Sequence, residues 1–231
     1  MSLLTNPAIL FLRNVGRKIG VNSSIAKLIL GAEYEHSYNK ALSQQIHSGD
    51  CIWDIGANIG HYTGLFANAV GPNGRIIAFE PSPINYLKLE SQHYSLDNVE
   101  LHQMAIGDVD SHVCFGQGKD ELGATSKVVS DSDLKVEMRT GRSLLENGNL
   151  RFPNIIKIDV EGYELEVLRG FGNLLSNPKL HAIGIEVHFQ LLSQRSNPSA
   201  PKQIESMLRE FGFELRWVDP SHLIGTRLPQ K

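Results

Sequence analysis

The run Cys51-Ile52-Trp53-Asp54-Ile55-Gly56-Ala57-Asn58-Ile59-Gly60 decides the fold. Its first five residues are apolar except for Asp54, which predicts a short buried strand. Glycines at 56 and 60 end that strand, and Gly60 to Val70 has a helical pattern that stops at Gly71-Pro72. A strand that turns through glycines into a helix is the ligand-binding corner of an open α/β sheet, where ligands sit at the carboxyl ends of the strands. Glycines let the backbone turn tightly and approach a ligand, and the start of the helix offers N–H donors. The pattern departs from G-x-G-x-x-G, because Asn58 stands between two glycines set further apart. The acid at the strand end, Asp54, would repel a pyrophosphate and suits a ligand with a cationic amino group. Asp54, Gly56, Ala57, Asn58 and Gly60 are therefore candidate cofactor contacts.

Outward from this corner, strands and helices alternate. Arg75 to Glu80 reads as a second strand, Pro83 to Ser95 as a helix with proline in its first turn, and Val99 to Ala105 as a third strand. Two more strand ends carry chemistry. In Glu80-Pro81-Ser82-Pro83 a carboxylate ends the second strand, where it can accept both hydroxyl hydrogens of a ribose. The plain alternative is a solvated strand-end acid. Ala105-Ile106-Gly107-Asp108 ends the third strand and could read an adenine edge, although Gly-Asp is also ordinary turn chemistry.

Asp108 to Ser130 is rich in Gly, Ser and Asp and reads as a β-hairpin insertion with loops, with Val136 to Arg139 as an added edge strand. The alternation resumes with a strand at Ile155 to Val160, a helix at Tyr163 to Leu175, a strand at His181 to Val187, and a helix at Pro201 to Phe211. The strands Phe213 to Val218 and His222 to Arg227 are joined by Asp219-Pro220-Ser221, a turn too tight for anything but an antiparallel pair. The expected fold is α/β: a Rossmann-like doubly wound sheet, mostly parallel, with an antiparallel strand near the C-terminus. Helical patterns at Asn6 to Gly20, Ser23 to Gly31 and Ser37 to His47 give an N-terminal helical cap, 1–48, ahead of a single domain, 49–231.

Four of these motifs in order resemble the FkbM family of class I S-adenosylmethionine-dependent methyltransferases. They are Asp54 to Gly60, Phe79-Glu80-Pro81-Ser82-Pro83, Ala105 to Asp108, and Lys157-Ile158-Asp159-Val160-Glu161-Gly162. The resemblance runs from about Glu33 to Asp219. It implies that the Gly56 to Gly60 loop holds the methionine part of S-adenosylmethionine, Glu80 the ribose, and Ala105 to Asp108 the adenine. It also implies methyl transfer to a hydroxyl of a sugar, glycan or secondary metabolite, and a segment at Tyr34-Glu35 that closes over the cofactor.

An acceptor hydroxyl must lose its proton as it attacks a methyl group. Asp159, at the carboxyl end of its strand, is the first candidate to assist, His188 the second, and Glu161 a third that would equally suit the start of the next helix. Glu164 reads as a helix-start acid, and Lys157, on the same strand face as Asp159, as the structural partner of a carboxylate in the sheet. Glu186 and His188 could join Asp159 around a divalent metal, but the spacing does not require one and a metal is not favoured.

With 231 residues, 41% of them hydrophobic, the chain can bury a core without staples. A net charge of −3 leaves no electrostatic footprint for nucleic acid. Two cysteines, Cys51 and Cys114, make neither a disulfide framework nor a metal spacing. With no transmembrane span and no signal-peptide pattern, a cytoplasmic location is expected. Two alternatives stay open: an NAD- or nucleotide-sugar-dependent oxidoreductase on the same fold, and a non-catalytic cofactor-binding module. The insertion and the loop Gln190 to Ser199 read as shaping the acceptor pocket, and His61 and His93 as helix-surface or loop residues.

Overall fold

The computed structural model describes residues 37–116, 127–128, 134–148 and 150–227. The two first predicted helices and the Tyr34-Glu35 segment lie outside them. Strand β1 (Cys51–Ile55) is buried along its whole length, as is β8 (Ile155–Ile158) beside it. That is the signature of central strands in a parallel sheet covered on both faces. With β2 (Arg75–Phe79), β3 (Val99–His102), β9 (Ala182–Glu186), β10 (Glu214–Trp217) and β11 (His222–Thr226) they form a seven-stranded sheet of order β10-β11-β9-β8-β1-β2-β3. The order reverses direction between β1 and β8, which puts a crevice at their carboxyl ends. β11 runs antiparallel to both β9 and β10; the other pairings are parallel. The predicted fold class is what the chain adopts.

Alternation along the strands separates two cores. Trp53, Ile55, Ile156, Ile158, Ile183 and Ile185 face the helices Glu164–Phe171 and Ala200–Glu210. Ile52, Ile155 and Ala182 face the other way, against Phe66, Ala67 and Val70 of the helix His61–Val70 and Tyr38, Ala41 and Leu42 of the helical residues 37–43.

Three expectations change. The third strand is two: β3 stops at His102, and β4 (Ala105–Gly107) leaves for a second sheet of order β4-β7-β5-β6. There β5 (Ser111–Gly116) and β6 (Lys127–Val128) are antiparallel, as a hairpin insertion requires. β7 (Lys135–Thr140), expected at an edge, lies between β4 and β5. An apolar run shows burial, not which sheet buries it. Within Gln190 to Ser199, expected as loop, Phe189–Gln194 forms a short helix. It is six residues long and has no side-chain cap to announce it, so no local signal set it apart from a loop.

Candidate functional site

The crevice is built by pairing register. Asp54 of β1 stands directly opposite Lys157 of β8, and Glu186 of β9 opposite His222 of β11. Side chains two apart share a face, so Asp54, Lys157, Asp159, Glu186 and His222 form a polar row on one face at the carboxyl ends of the strands. Tyr38 covers that row, its ring stacked on His222 at 4.2 Å between centroids.

Lys157 holds the row together. It is almost fully buried, and a buried ammonium requires partners. Its Nζ lies 3.1 Å from Asp54 Oδ1 and 3.7 Å from Asp159 Oδ2, and donates to the Gly56 carbonyl at 2.8 Å. Burial opposes its charge, but the carboxylates of Asp54 and Asp159 outweigh that and raise its pKa above the ordinary lysine value. Asp54 is buried, and its other oxygen accepts from Thr63 Oγ1 at 2.7 Å. The expected structural role of Lys157 is realised. Asp54, expected to meet a ligand's amino group, already has Lys157 and Thr63 beside it.

The glycine corner is likewise tied down. The Gly56 and Ala57 N–H groups both donate to the Phe79 carbonyl at 3.0 Å, and Gly60 N–H donates to Ala57. Asn58 N–H donates to Glu80 Oε2 at 2.8 Å. These four amides are therefore not the open donors that a helix start was expected to offer. The Asn58 side-chain oxygen, by contrast, is buried without a hydrogen-bond partner among the described residues. Gly56, at φ 76°, has room for no side chain, because a Cβ there would overlap the backbone oxygen of Asp159. His93, expected at the surface, tucks its ring against Gly60 and Gly64.

Glu80 is buried rather than solvated, only 5% exposed. Its second oxygen accepts from Ser82 N–H at 2.8 Å, and Ser82 caps the helix Pro83–His93 with Pro81 just ahead of it. Burial pushes the Glu80 carboxyl up to about 7, against the pull of the Ser82 and Asn58 amides. Ala105 is buried in β4 and Asp108 is exposed beyond it, so this predicted adenine turn belongs to the second sheet and not to the end of β3.

Asp159, Glu161 and His188, predicted separately, meet. His188 Nε2 lies 3.4 Å from Glu161 Oε2, 3.7 Å from Asp159 Oδ1 and 3.9 Å from Glu186 Oε1. Its Nδ1 is 2.6 Å from Glu164 Oε1, which also accepts from Gly162 N–H. Burial disfavours a charged His188, but Glu164, Glu161 and Glu186 push its pKa up to about 10. With its pKa raised so far, the ring favours its charged form and is a poor match for the expected base. Asp159 moves the same way: burial and Glu186 raise it above the usual aspartate value, while Lys157, His188 and His222 hold it down.

Sequence reasoning missed Glu164 as the partner of His188, and missed Thr63, Tyr38, Asp219 and His222 altogether. Asp219 accepts from the Ser221 and His222 amides and from His222 Nδ1 at 2.7 Å. Burial opposes a charged His222, yet hydrogen bonds to Asp219 and Glu186 push it up to about 9. The Asp-Pro-Ser turn was the only signal, and it reads as turn chemistry alone.

Residues 54–215 match the Methyltransferase FkbM domain. The chain is 27% identical over 155 residues to the hexuronic acid methyltransferase AglP of Haloferax volcanii, a match covering 67% of this chain and 62% of that protein. A crystal structure of the methyltransferase FkbM from Methylobacillus flagellatus superposes with a TM-score of 0.54 at 16% identity, over 78% of this chain and 44% of that one. Aeropyrum pernix fibrillarin, solved with natively bound S-adenosylmethionine, gives 0.50 at 15% identity over 82% and 74%. At such identities the two structures share the fold alone. The chain spans less than two thirds of AglP and less than half of the M. flagellatus protein. The cofactor of the class is S-adenosylmethionine, and the crevice suits it: Glu80 keeps acceptor capacity on both oxygens for a pair of hydroxyls, and the buried Asn58 oxygen calls for a donor. The chain belongs to the FkbM methyltransferase family and has the class I fold of S-adenosylmethionine-dependent methyltransferases.

Proposed function

We propose that this chain methylates a hydroxyl oxygen on a sugar, glycan or secondary metabolite. The observation that carries the reading is the junction made by Lys157, which joins the glycine corner to Asp159 at the edge of the acidic cluster. Bound S-adenosylmethionine supplies an activated methyl group on sulfur and departs as S-adenosylhomocysteine. The residues then have two tasks, alignment and removal of one proton. Asp159 is half-buried at the end of β8, with a pKa raised toward the range useful to a base. Its carboxylate takes the acceptor's proton, and the charged His188 beside it, held by Glu164, orients the pair. Glu161 lines the same place. The relationship to a hexuronic acid methyltransferase supports a sugar acceptor.

The test is incubation with S-adenosylmethionine and a panel of hexuronic acids, their nucleotide-linked forms and neutral sugars. Formation of S-adenosylhomocysteine with one added methylene in the product is the expected result. Mild alkali then separates the linkages, because a methyl ether survives it and a methyl ester does not. An ester product would overturn hydroxyl methylation while leaving methyl transfer intact.

The ribose role of Glu80 gives a second expectation. Glu80→Ala should weaken S-adenosylhomocysteine binding by about 1.5–3 kcal/mol, roughly ten- to 150-fold in calorimetry. It should also lower the melting temperature, because the Asn58 and Ser82 amides lose their acceptor. Hydroxyl hydrogens favour the ionised carboxyl, so wild-type affinity should be full above pH about 7 and fall as the pH drops through that value. In the ligand-free protein the sign is opposite. A carboxyl whose folded pKa is raised contributes stability at low pH that is lost as the pH rises through about 7. An affinity that ignores pH across this window, in both wild type and variant, would remove Glu80 from the ribose.

A further inference from the structure

We infer that Asp159, Glu186 and His188 form a binding site for one divalent cation, at the acceptor side of the crevice. One ligand atom from each of the three lies within 4.8 Å of the others. Two atoms each about 2.1 Å from a common ion can be at most about 4.2 Å apart. The separations of His188 Nε2 from Asp159 and from Glu186, 3.7 and 3.9 Å, fall inside that limit.

A second observation comes from the far side of the ring. A ligating imidazole needs its lone pair on one nitrogen and its hydrogen on the other, donated to an acceptor that fixes the tautomer. Glu164 Oε1 is that acceptor for Nδ1, at 2.6 Å, and leaves Nε2 facing Glu161, Asp159 and Glu186. The Glu164 side chain is fully buried, and its other oxygen has no hydrogen-bond partner among the described residues. A buried carboxylate of this kind is costly unless positive charge stands nearby. Its nearest positive charge is the second proton of His188, which a cation on Nε2 would displace and replace. Glu186 is fixed on its outer side by His222 Nε2, 3.4 Å from Oε2.

Two carboxylate oxygens and one imidazole suit Mn²⁺ and its neighbours in the first row, with Mg²⁺ a weaker fit because of the nitrogen. Three protein ligands leave coordination positions open, as a catalytic rather than a structural site does. An acceptor hydroxyl on the ion would lose its proton more readily, which lightens the task of Asp159. This last step rests on the methyltransferase reading; the cation site does not.

The experiment is Mn²⁺ binding to the full chain, followed by electron paramagnetic resonance. One ion per chain is expected, with echo modulation from a single imidazole nitrogen. Glu186→Gln and Asp159→Asn should each weaken binding at least ~tenfold, and Glu164→Ala, which acts through His188, by ~10–100-fold. A second group, His47, Asp50 and His181, lies at the amino ends of the strands. His47→Ala should therefore leave the signal unchanged. Because the nitrogen modulation is read on the wild type, a misfolded variant does not decide the matter. Absence of bound Mn²⁺, modulation from two imidazoles, or loss of binding in His47→Ala would overturn the site. S-adenosylhomocysteine binding measured after chelation separates the two ideas. Retained cofactor binding in a protein that takes up no Mn²⁺ would sink the site and leave the methyltransferase standing, and Mn²⁺ bound without cofactor binding would do the reverse.

Discussion

In a Gly56→Val variant the folded state is expected to lose roughly 2–6 kcal/mol, and cofactor binding is expected to vanish. Two penalties combine. A β-branched residue at φ 76° is strained by ~1–3 kcal/mol. A Cβ there also overlaps the Asp159 backbone oxygen, so β1 and β8 must part at their carboxyl ends, at an overpacking cost of ~1–3 kcal/mol. Parting them draws the Gly56 carbonyl away from Lys157 and spoils the junction between the cofactor corner and the acidic cluster. Gly49→Ala is the control. It sits at φ 89° with nothing near its missing Cβ, so it should cost only the backbone strain, on the order of 1–2 kcal/mol. Chemical denaturation of both variants, with calorimetry on S-adenosylhomocysteine, makes the comparison. Equal destabilisation by the two would mean that close approach to Asp159 contributes nothing.

Asp159→Asn is expected to lower turnover by roughly 10²–10⁴ while leaving S-adenosylhomocysteine affinity nearly unchanged. The amide keeps the shape but cannot take the acceptor's proton, and it weakens the attraction to Lys157 without removing the Asp54 partner. His188→Ala should show the same division between rate and affinity. Glu161→Gln serves as the third member, because its oxygen is the nearest to Nε2. Single-turnover rates with the acceptor found in the sugar panel are the readout. Near-wild-type rates in both Asp159→Asn and His188→Ala would move the proton chemistry away from this cluster. A parallel loss of cofactor affinity would instead make the cluster a structural support for the glycine corner.

The residues of the site were legible one strand end at a time. Asp54, Glu80, Asp159 and His188 each announce themselves by ending or following an apolar run, and the open α/β rule places all such ends on one rim. That reasoning cannot say which of them are spent on one another. Asp54 reads as a ligand contact because an acid at the strand end suits a cationic group, and only the fold shows that Lys157, far away in the sequence, stands beside it. The plain alternative for Glu80 is a solvated strand-end acid, and only the Asn58 and Ser82 amides show that it is enclosed.

By itself, the sequence determined the alternation of strands and helices, the antiparallel return near the C-terminus and the position of the glycine corner. Those follow from local rules: apolar periodicity, helix stops and the length of a turn. The tertiary structure alone decided register, sheet membership and protonation. Register set Asp54 opposite Lys157 and Glu186 opposite His222, so that a row of charges crosses four strands. Sheet membership sent Ala105–Gly107 out of the main sheet, although its residues are as apolar as those of a third strand. The approach of Glu164 and Glu161, from a helix and a loop elsewhere in the chain, raises the His188 pKa and favours its charged form. Each depends on distances between residues remote in the chain. Electrostatic energy varies with those distances and with burial, and neither is written in any local pattern.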